Sequence, residues 1–393
     1  MNPIYYSYLQ GGRAEIIKLS ALVCAGCNDQ KERRLKMKRD RVKMLRLYFR
    51  VILSFFLIFL FVLLAWIPIA QAAERVLLKM GVTSATSGSF VGPAAFARVV
   101  SKYAPGVELL PLESGATYDN LYRMQEGIFD MGAFFYDGVM ECYNGWGMFK
   151  DKPWKKVRVI AQRTGVAVHV SIYVRKDSKI TSFGDFVNSK LKLCPGIPGS
   201  GADQFMRKAI QALGAKVNLV PMAYSDAQKS LRERRIDGVM KSATSLETFD
   251  SSMYEIHLTN PLTIVGFTEQ EAKKITAVHG QYSMRFFAKG ANKVDANAGN
   301  FWFYSPFSTY YGSAKIPEEI VYRMVKAAVS HADELLAADS TCARDPAGDL
   351  IKALAQAGFA KENIAPVHAG TVRYLQEKGQ VIPDYLIPPE YKK

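Results

Sequence analysis

The order strand, glycine/serine turn, helix, strand, turn, helix, strand occurs twice along this chain. No other feature narrows the possible folds as much. In the first unit, Leu77–Val82 reads as a strand and runs into Ser84-Ala85-Thr86-Ser87-Gly88-Ser89. A helix begins near Pro93, because proline lacks the N–H that a first helical turn leaves unpaired. Phe96, Val99, Val100 and Tyr103 recur at helical spacing, and Pro105-Gly106 stops the helix. The strand Val107–Leu112, a helix over Thr117–Glu126 and the strand Asp130–Phe135 follow. In the second unit the strand Leu191–Cys194 leads to Pro195-Gly196-Ile197-Pro198-Gly199-Ser200-Gly201. Then come a helix over Ala202–Leu213, the strand Val217–Met222, a helix over Asp226–Arg235 and the strand Asp237–Lys241. The equivalent pairs Met80/Leu193, Val107/Val217 and Asp130/Asp237 lie 113, 110 and 107 residues apart.

Each βαβαβ unit makes a parallel sheet with right-handed crossovers. The loops after its strands gather at one sheet edge, where open α/β sheets bind ligands. Two such lobes facing one another enclose a cleft, so the expected class is α/β with two lobes. Val157–Gln162 and Val166–Arg175 read as extended bridges between the lobes. The run Ile316–Ala338 is helical with no sheet of its own, so the chain must return to the first lobe between residues 262 and 310. The expected division is 74–158 for the first lobe, 159–295 for the second, and 296–393 for the return and terminal helices.

The first 73 residues carry +8 of the chain's formal charge of +15. They contain the near-unbroken apolar run Val51–Ile67, preceded by a basic stretch and followed by Pro68 and Ala70-Gln71-Ala72. This is the pattern of a secretory signal peptide cleaved near Ala72 or Ala73; an uncleaved anchor is the alternative. Met37 and Met44 each open an ordinary signal, so translation is expected to start at one of them. With half the charge there, the basicity is no argument for nucleic-acid binding. Cys24 and Cys27 have no second ligand pair and signal no metal site. Of Cys142, Cys194 and Cys342, only Cys142–Cys342 is considered as a disulfide.

Pro198-Gly199-Ser200-Gly201-Ala202 opens a helix, and Ser200 with Asp203 fits a capping box. Glycines there let a ligand reach backbone N–H groups, and the helix start favours an anion such as a carboxylate. The alternative is a plain capped turn. Ser87, Gly88, Ser89 and Phe90 form the matching loop of the first unit. Ser114 and Gly115 follow its second strand, and Tyr136 follows its third. Arg163 and Lys241, read as lying near strand ends of the second lobe, are candidate partners for a ligand carboxylate. Histidines 169, 257, 279, 331 and 368 show no HExxH spacing, so no metal is signalled. His169 reads as a packed residue. No cofactor fingerprint occurs, since GxxxxGK[ST] is absent and Pro198 spoils a GxSxG elbow. Nor is a catalytic constellation visible.

These loops, in this order, resemble the solute receptors of TRAP transporters of the TAXI type. The resemblance covers residues 76–340 and rests on the stretches 81–93, 113–121, 196–201 and 316–322. Ala202 stands where members often carry Thr, and Lys241-Ser242-Ala243-Thr244 where they often carry a Gly-Gly pair. The resemblance implies a type II periplasmic-binding-protein fold and a periplasmic receptor that closes on a small anionic or zwitterionic solute. It also implies delivery to membrane permease subunits, with no chemistry done on the solute. The rival readings are a receptor for an ABC importer of thiamine-precursor-like pyrimidines, an enzyme on the same fold, and a membrane-anchored sensor.

Overall fold

The computed structural model describes residues 34, 36–57, 75–85, 87–166, 168–243 and 245–392. The chain divides into two units, 1–73 and 74–393. In the first, residues 36–57 are helical. The rest of the apolar run, Ala70-Gln71-Ala72 and Cys24/Cys27 lie outside the described residues. Among the described residues, no helix is long and apolar enough to cross a membrane.

The second unit is built on two sheets. The first contains β1 (Val76–Gly81), β2 (Val107–Leu112), β3 (Met131–Phe135), β4 (Val157–Gln162) and β12 (Ser308–Ser313), in the order β2-β1-β3-β12-β4. The second contains β5 (His169–Arg175), β6 (Lys192–Cys194), β7 (Asn218–Leu219), β8 (Gly238–Ala243), β9 (Leu262–Val265), β10 (Met284–Phe287) and β11 (Phe301–Tyr304). Its order is β10-β11-β5-β8-β6-β7, with β9 also paired to β5. β1 pairs in parallel with β2 and β3, and β6 with β7 and β8, so the two sequence units build matching sheet halves.

The equivalence extends to single hydrogen bonds. The Lys79 N–H donates to the Asp130 carboxylate at 2.8 Å, and the Asp130 N–H returns to the Lys79 carbonyl at 2.9 Å. Lys192 and Asp237 repeat both bonds at 2.8 and 2.9 Å. Helix packing follows from the apolar spacing. Phe96, Val99 and Val100 of the Val91–Tyr103 helix are fully buried, and Phe96 stacks on Tyr310 of β12 at 4.0 Å.

Three expectations need correction. β4 is an edge strand of the first sheet, paired antiparallel to β12, whereas β5 lies within the second. The segments that pass between sheets are therefore 163–168 and 305–307: the strands of the first sheet fall within 76–162 and 308–313, and those of the second within 169–304. Val157–Gln162 and most of Val166–Arg175 are thus sheet strands and not bridges, because an apolar strand does not encode which sheet it joins. β4 is placed by β12, about 150 residues away. The run Ile316–Ala338 is two helices, Glu318–Ser330 and Ala332–Ala338, parted at His331, whose ring stacks on Tyr103 at 3.5 Å. Finally, Cys142, Cys194 and Cys342 are all buried free thiols. Burial pushes each thiol up, Cys342 to about 11.

Candidate functional site

The strand ends of both sheets meet across a small cavity of about 40 Å³. Its walls come from three helix starts. Ser87 and Ser89 belong to the turn that leads into the Val91–Tyr103 helix. Ala116 and Thr117 open the Thr117–Gln125 helix. Ser200, Gly201 and Ala202 open the Gly201–Leu213 helix. First-turn N–H groups have no intrahelical acceptor, and each helix start carries partial positive charge. Three starts around one cavity favour an anion there. Thr83, Phe134, Phe135, Ile197, Tyr224 and Ser242 complete the lining, which among the described residues contains no charged side chain. Hydroxyls and backbone dipoles are thus the polar groups that face the cavity.

Two lining residues hold unusual backbone conformations. Ala116 has φ 71° and Phe134 has φ 103°, a region that non-glycine residues rarely adopt. Such strain costs about 1–3 kcal/mol per residue and gathers at functional sites. Phe134 is held by its pairing with Thr309 of β12 and by the Arg163 guanidinium, 5.3 Å from its ring.

The cavity is small because the lobes are in contact. A Cβ added at Gly201 of the second lobe would lie 2.2 Å from Cδ2 of Phe135 of the first, so only glycine fits. Phe135 is buried, with its backbone N–H donated to Thr117 Oγ1 at 3.3 Å. The Ser87–Ser89 turn likewise abuts the second lobe. A Cβ at Gly88 would lie 3.3 Å from Ser251 Oγ and 3.6 Å from Asp250 Oδ2.

A larger groove of about 400 Å³ adjoins the cavity and shares Ser89 and Ser242 with it. Gly88, Arg163, Asp250 and Asp339 also line it. Arg163 follows β4, so it belongs to the first lobe's strand ends and not to the second's. It is 3% exposed. Its Nε donates to Ser308 Oγ at 2.5 Å, and its Nη1 lies 4.0 Å from Asp339 with no hydrogen-bond partner among the described residues.

The candidate residues separate clearly. Ser87, Ser89, Ser200, Gly201 and Ala202 line the cavity, and Gly88 and Arg163 line the groove. The others are engaged elsewhere. The Gly199 N–H donates to the protein's own Asp203 carboxylate at 3.0 Å, and Gly199 with Pro198 lies outside the lining. Gly115 does the same with Asp119 at 2.9 Å, and both aspartates hold an arginine four residues on. Ser114 Oγ donates to the Val82 carbonyl at 2.9 Å. Tyr136 is fully buried and its hydroxyl accepts from the Ala365 N–H, so it anchors the C-terminal segment. Phe90 packs on the core. Lys241 is 1% exposed and consumed by Asp250 at 3.2 Å and Ser252 Oγ at 2.8 Å. Its ammonium lies 4.6 Å from the ring of Tyr224, a cavity-lining residue. His169 is packed, with Nε2 2.7 Å from the Ser245 carbonyl oxygen, and burial lowers its pKa to about 4.

Sequence reading missed Thr83, Ala116, Thr117, Phe134, Phe135, Ile197, Tyr224 and Ser242. Most of them stand at or just past the end of a strand. Reading every strand end as lining, and not the glycine loops alone, would have named most of them; Ala116, Thr117 and Tyr224 stand at helix starts further on.

A sequence comparison with curated proteins returned no match. Among solved structures, a protein of Bordetella bronchiseptica RB50 is 16% identical with TM-score 0.47, covering 79% of this chain and 100% of its own. The alkanesulfonate-binding protein SsuA of Xanthomonas axonopodis pv. citri, bound to MOPS, is 14% identical with TM-score 0.43, covering 81% and 98%. A TctC solute-binding protein from Polaromonas is 16% identical with TM-score 0.40, covering 69% and 88%. Scores at this level leave the assignment resting on sheet topology and on a family match over residues 82–379. The chain has the two-lobed type II periplasmic-binding-protein fold and belongs to the NMT1-like family.

Proposed function

We propose that this chain is a periplasmic solute receptor of the TAXI type, serving a TRAP permease, and that it captures a small carboxylate-bearing solute between its lobes. The observation that carries this reading is the convergence of three helix starts, hydroxyl-rich and without charged side chains, on one interlobe cavity. Dipoles fixed by the fold hold an anion without the reorganisation that water would need. The buried Arg163, whose Nη1 faces Asp339 at 4.0 Å without a hydrogen bond among the described residues, is suited to a second anionic group or the far end of the solute. Two strained backbones in the lining fit a site kept for binding. In this reading the receptor does no chemistry on the solute, and residues 1–73 supply the export signal.

Thermal melting of the purified protein against small carboxylates, amino acids and sulfonates tests the solute class. A bound solute at a hundredfold excess over its Kd stabilises by about 2.7 kcal/mol. Stabilisation by neutral pyrimidines alone, with none by anions, would replace the TAXI reading with the ABC-importer one. Capture of the loaded protein by membranes carrying a TRAP-type permease tests the partner.

A further inference from the structure

Beside the 305–307 crossover lies a buried acidic pair outside the lining of the cavity and groove described above. Asp137 and Glu141 sit one turn apart on the Tyr136–Asn144 helix of the first lobe, at 3% and 0% exposure. Glu141 Oε1 accepts from Gln281 Nε2 at 3.0 Å and from the Tyr282 hydroxyl at 3.2 Å, both of the second lobe. Tyr304, the last residue of β11, stands next to the 305–307 crossover, and its hydroxyl is close enough to act on Asp137. The Tyr136 N–H donates to the Phe307 carbonyl of that crossover at 3.0 Å. The cluster therefore straddles the hinge.

The charges do not balance. Both Asp137 oxygens, Glu141 Oε2 and the hydroxyls of Tyr118 and Tyr304 have no well-formed hydrogen bond among the described residues. From the Thr117–Gln125 helix the cluster meets Tyr118, from the 279–283 connection Tyr282 and Gln281, and from β11 Tyr304. His279 lies beside Tyr282, with ring centroids 6.0 Å apart. Burial, and the charge of Lys208 beside it, hold His279 towards its neutral form. An Asp137 carboxyl at this depth, with neither oxygen hydrogen-bonded among the described residues, is disfavoured in its charged form.

We propose that this cluster is a proton-operated latch across the hinge, Asp137 binding a proton from water as the lobes close and releasing it as they open. Opening withdraws Gln281 and Tyr282 from Glu141 and admits water to Asp137. In the closed form burial raises the Asp137 carboxyl from 3.8 to about 7, the nearby Glu141 adding to the rise. The sign follows. Closure is favoured below that value and loses the contribution as pH rises through it. If opening restores the ordinary value, the closed-to-open ratio falls roughly thirty-fold between about pH 5.5 and about pH 8.5.

The test is small-angle scattering of the purified protein at those two pH values, for wild type, Asp137→Asn and Glu141→Gln. Wild type should expand at the higher pH. Asp137→Asn, which keeps a neutral side chain of the same shape, should stay compact at both. A wild-type radius indifferent to pH, or an Asp137→Asn variant that expands as wild type does, overturns the proposal. Infrared spectroscopy keeps it falsifiable if the variants fold poorly. Wild type should show a protonated-carboxyl band at the lower pH that disappears at the higher, and its absence at both overturns the proposal. The latch rests on the receptor reading. A radius that contracts with a bound carboxylate but ignores pH removes the latch alone, whereas one that responds to neither removes both.

Discussion

Gly201→Ala places one methyl group where the lobes meet. The added Cβ would lie 2.2 Å from Phe135 Cδ2, 2.9 Å from Cε2 and 3.2 Å from Cγ. Atoms that near the ring's root cannot be cleared by a small rotation. Phe135 is also hemmed in, edge-on to Tyr304 at 5.8 Å, and Tyr304 stacks on Phe205 at 4.0 Å. The closed form must shift backbone or separate the lobes. Overpacking of this kind costs about 1–3 kcal/mol. The open form bears none of it, because Gly201 and Phe135 belong to different lobes. The closed-to-open ratio should then fall about 5- to 150-fold, at about 1.4 kcal/mol per tenfold. Scattering should give a larger radius than wild type, and carboxylate affinity should fall by a similar factor, with little change in melting temperature. A Gly201→Ala protein as compact as wild type, binding as tightly, would refute the claim that the cavity is an interlobe contact.

Other expectations follow from the same contacts. Gly199→Ala meets no atom within 4 Å but keeps φ at +74°, so it should lower stability by about 1–2 kcal/mol and leave closure unchanged in scattering. Lys241→Met leaves the Asp250 carboxylate without its counter-charge, held among the described residues only by Ser252; chemical denaturation should show a loss of about 3–5 kcal/mol, partly restored by adding Asp250→Asn. His169 and His368 are buried with pKa values lowered to about 4, chiefly by burial. Their folded values lie below the unfolded one, so stability is full above about pH 6.5 and falls towards pH 4, by about 3 kcal/mol for each. His169→Gln should flatten part of that fall in melts across the window.

The internal repeat was legible because each sheet half is built from local segments. Strand, turn and helix follow within about 60 residues, and Asp130 and Asp237 mark the same bond in each half. Which sheet β4 and β11 join was not legible, since long-range antiparallel partners decide it. Of the glycine and serine loops read as candidate sites, several line the interlobe cavity, but some of the glycines do not. Gly115 and Gly199 have their N–H groups tied to aspartates four residues on, an internal use of donors that looked free for a ligand. Phe134 and Phe135 went unnoticed because apolar residues at the end of a strand read as core, and their place between the lobes depends on how two sheets meet. Lys241 is the converse case: its ion pair with Asp250 lies outside the strand-end pattern, so a reading of the strand ends does not show it.

The central claim, that the lobes enclose a small anion at three helix starts, is tested most directly by native mass spectrometry of freshly purified protein. Wild type should carry an excess mass equal to one small carboxylate-bearing compound. Thr117→Val, which removes a lining hydroxyl and the acceptor for the Phe135 N–H, should lose that mass while remaining folded. A wild-type protein that carries a neutral compound, or a Thr117→Val protein that retains the anion at wild-type occupancy, would contradict the account.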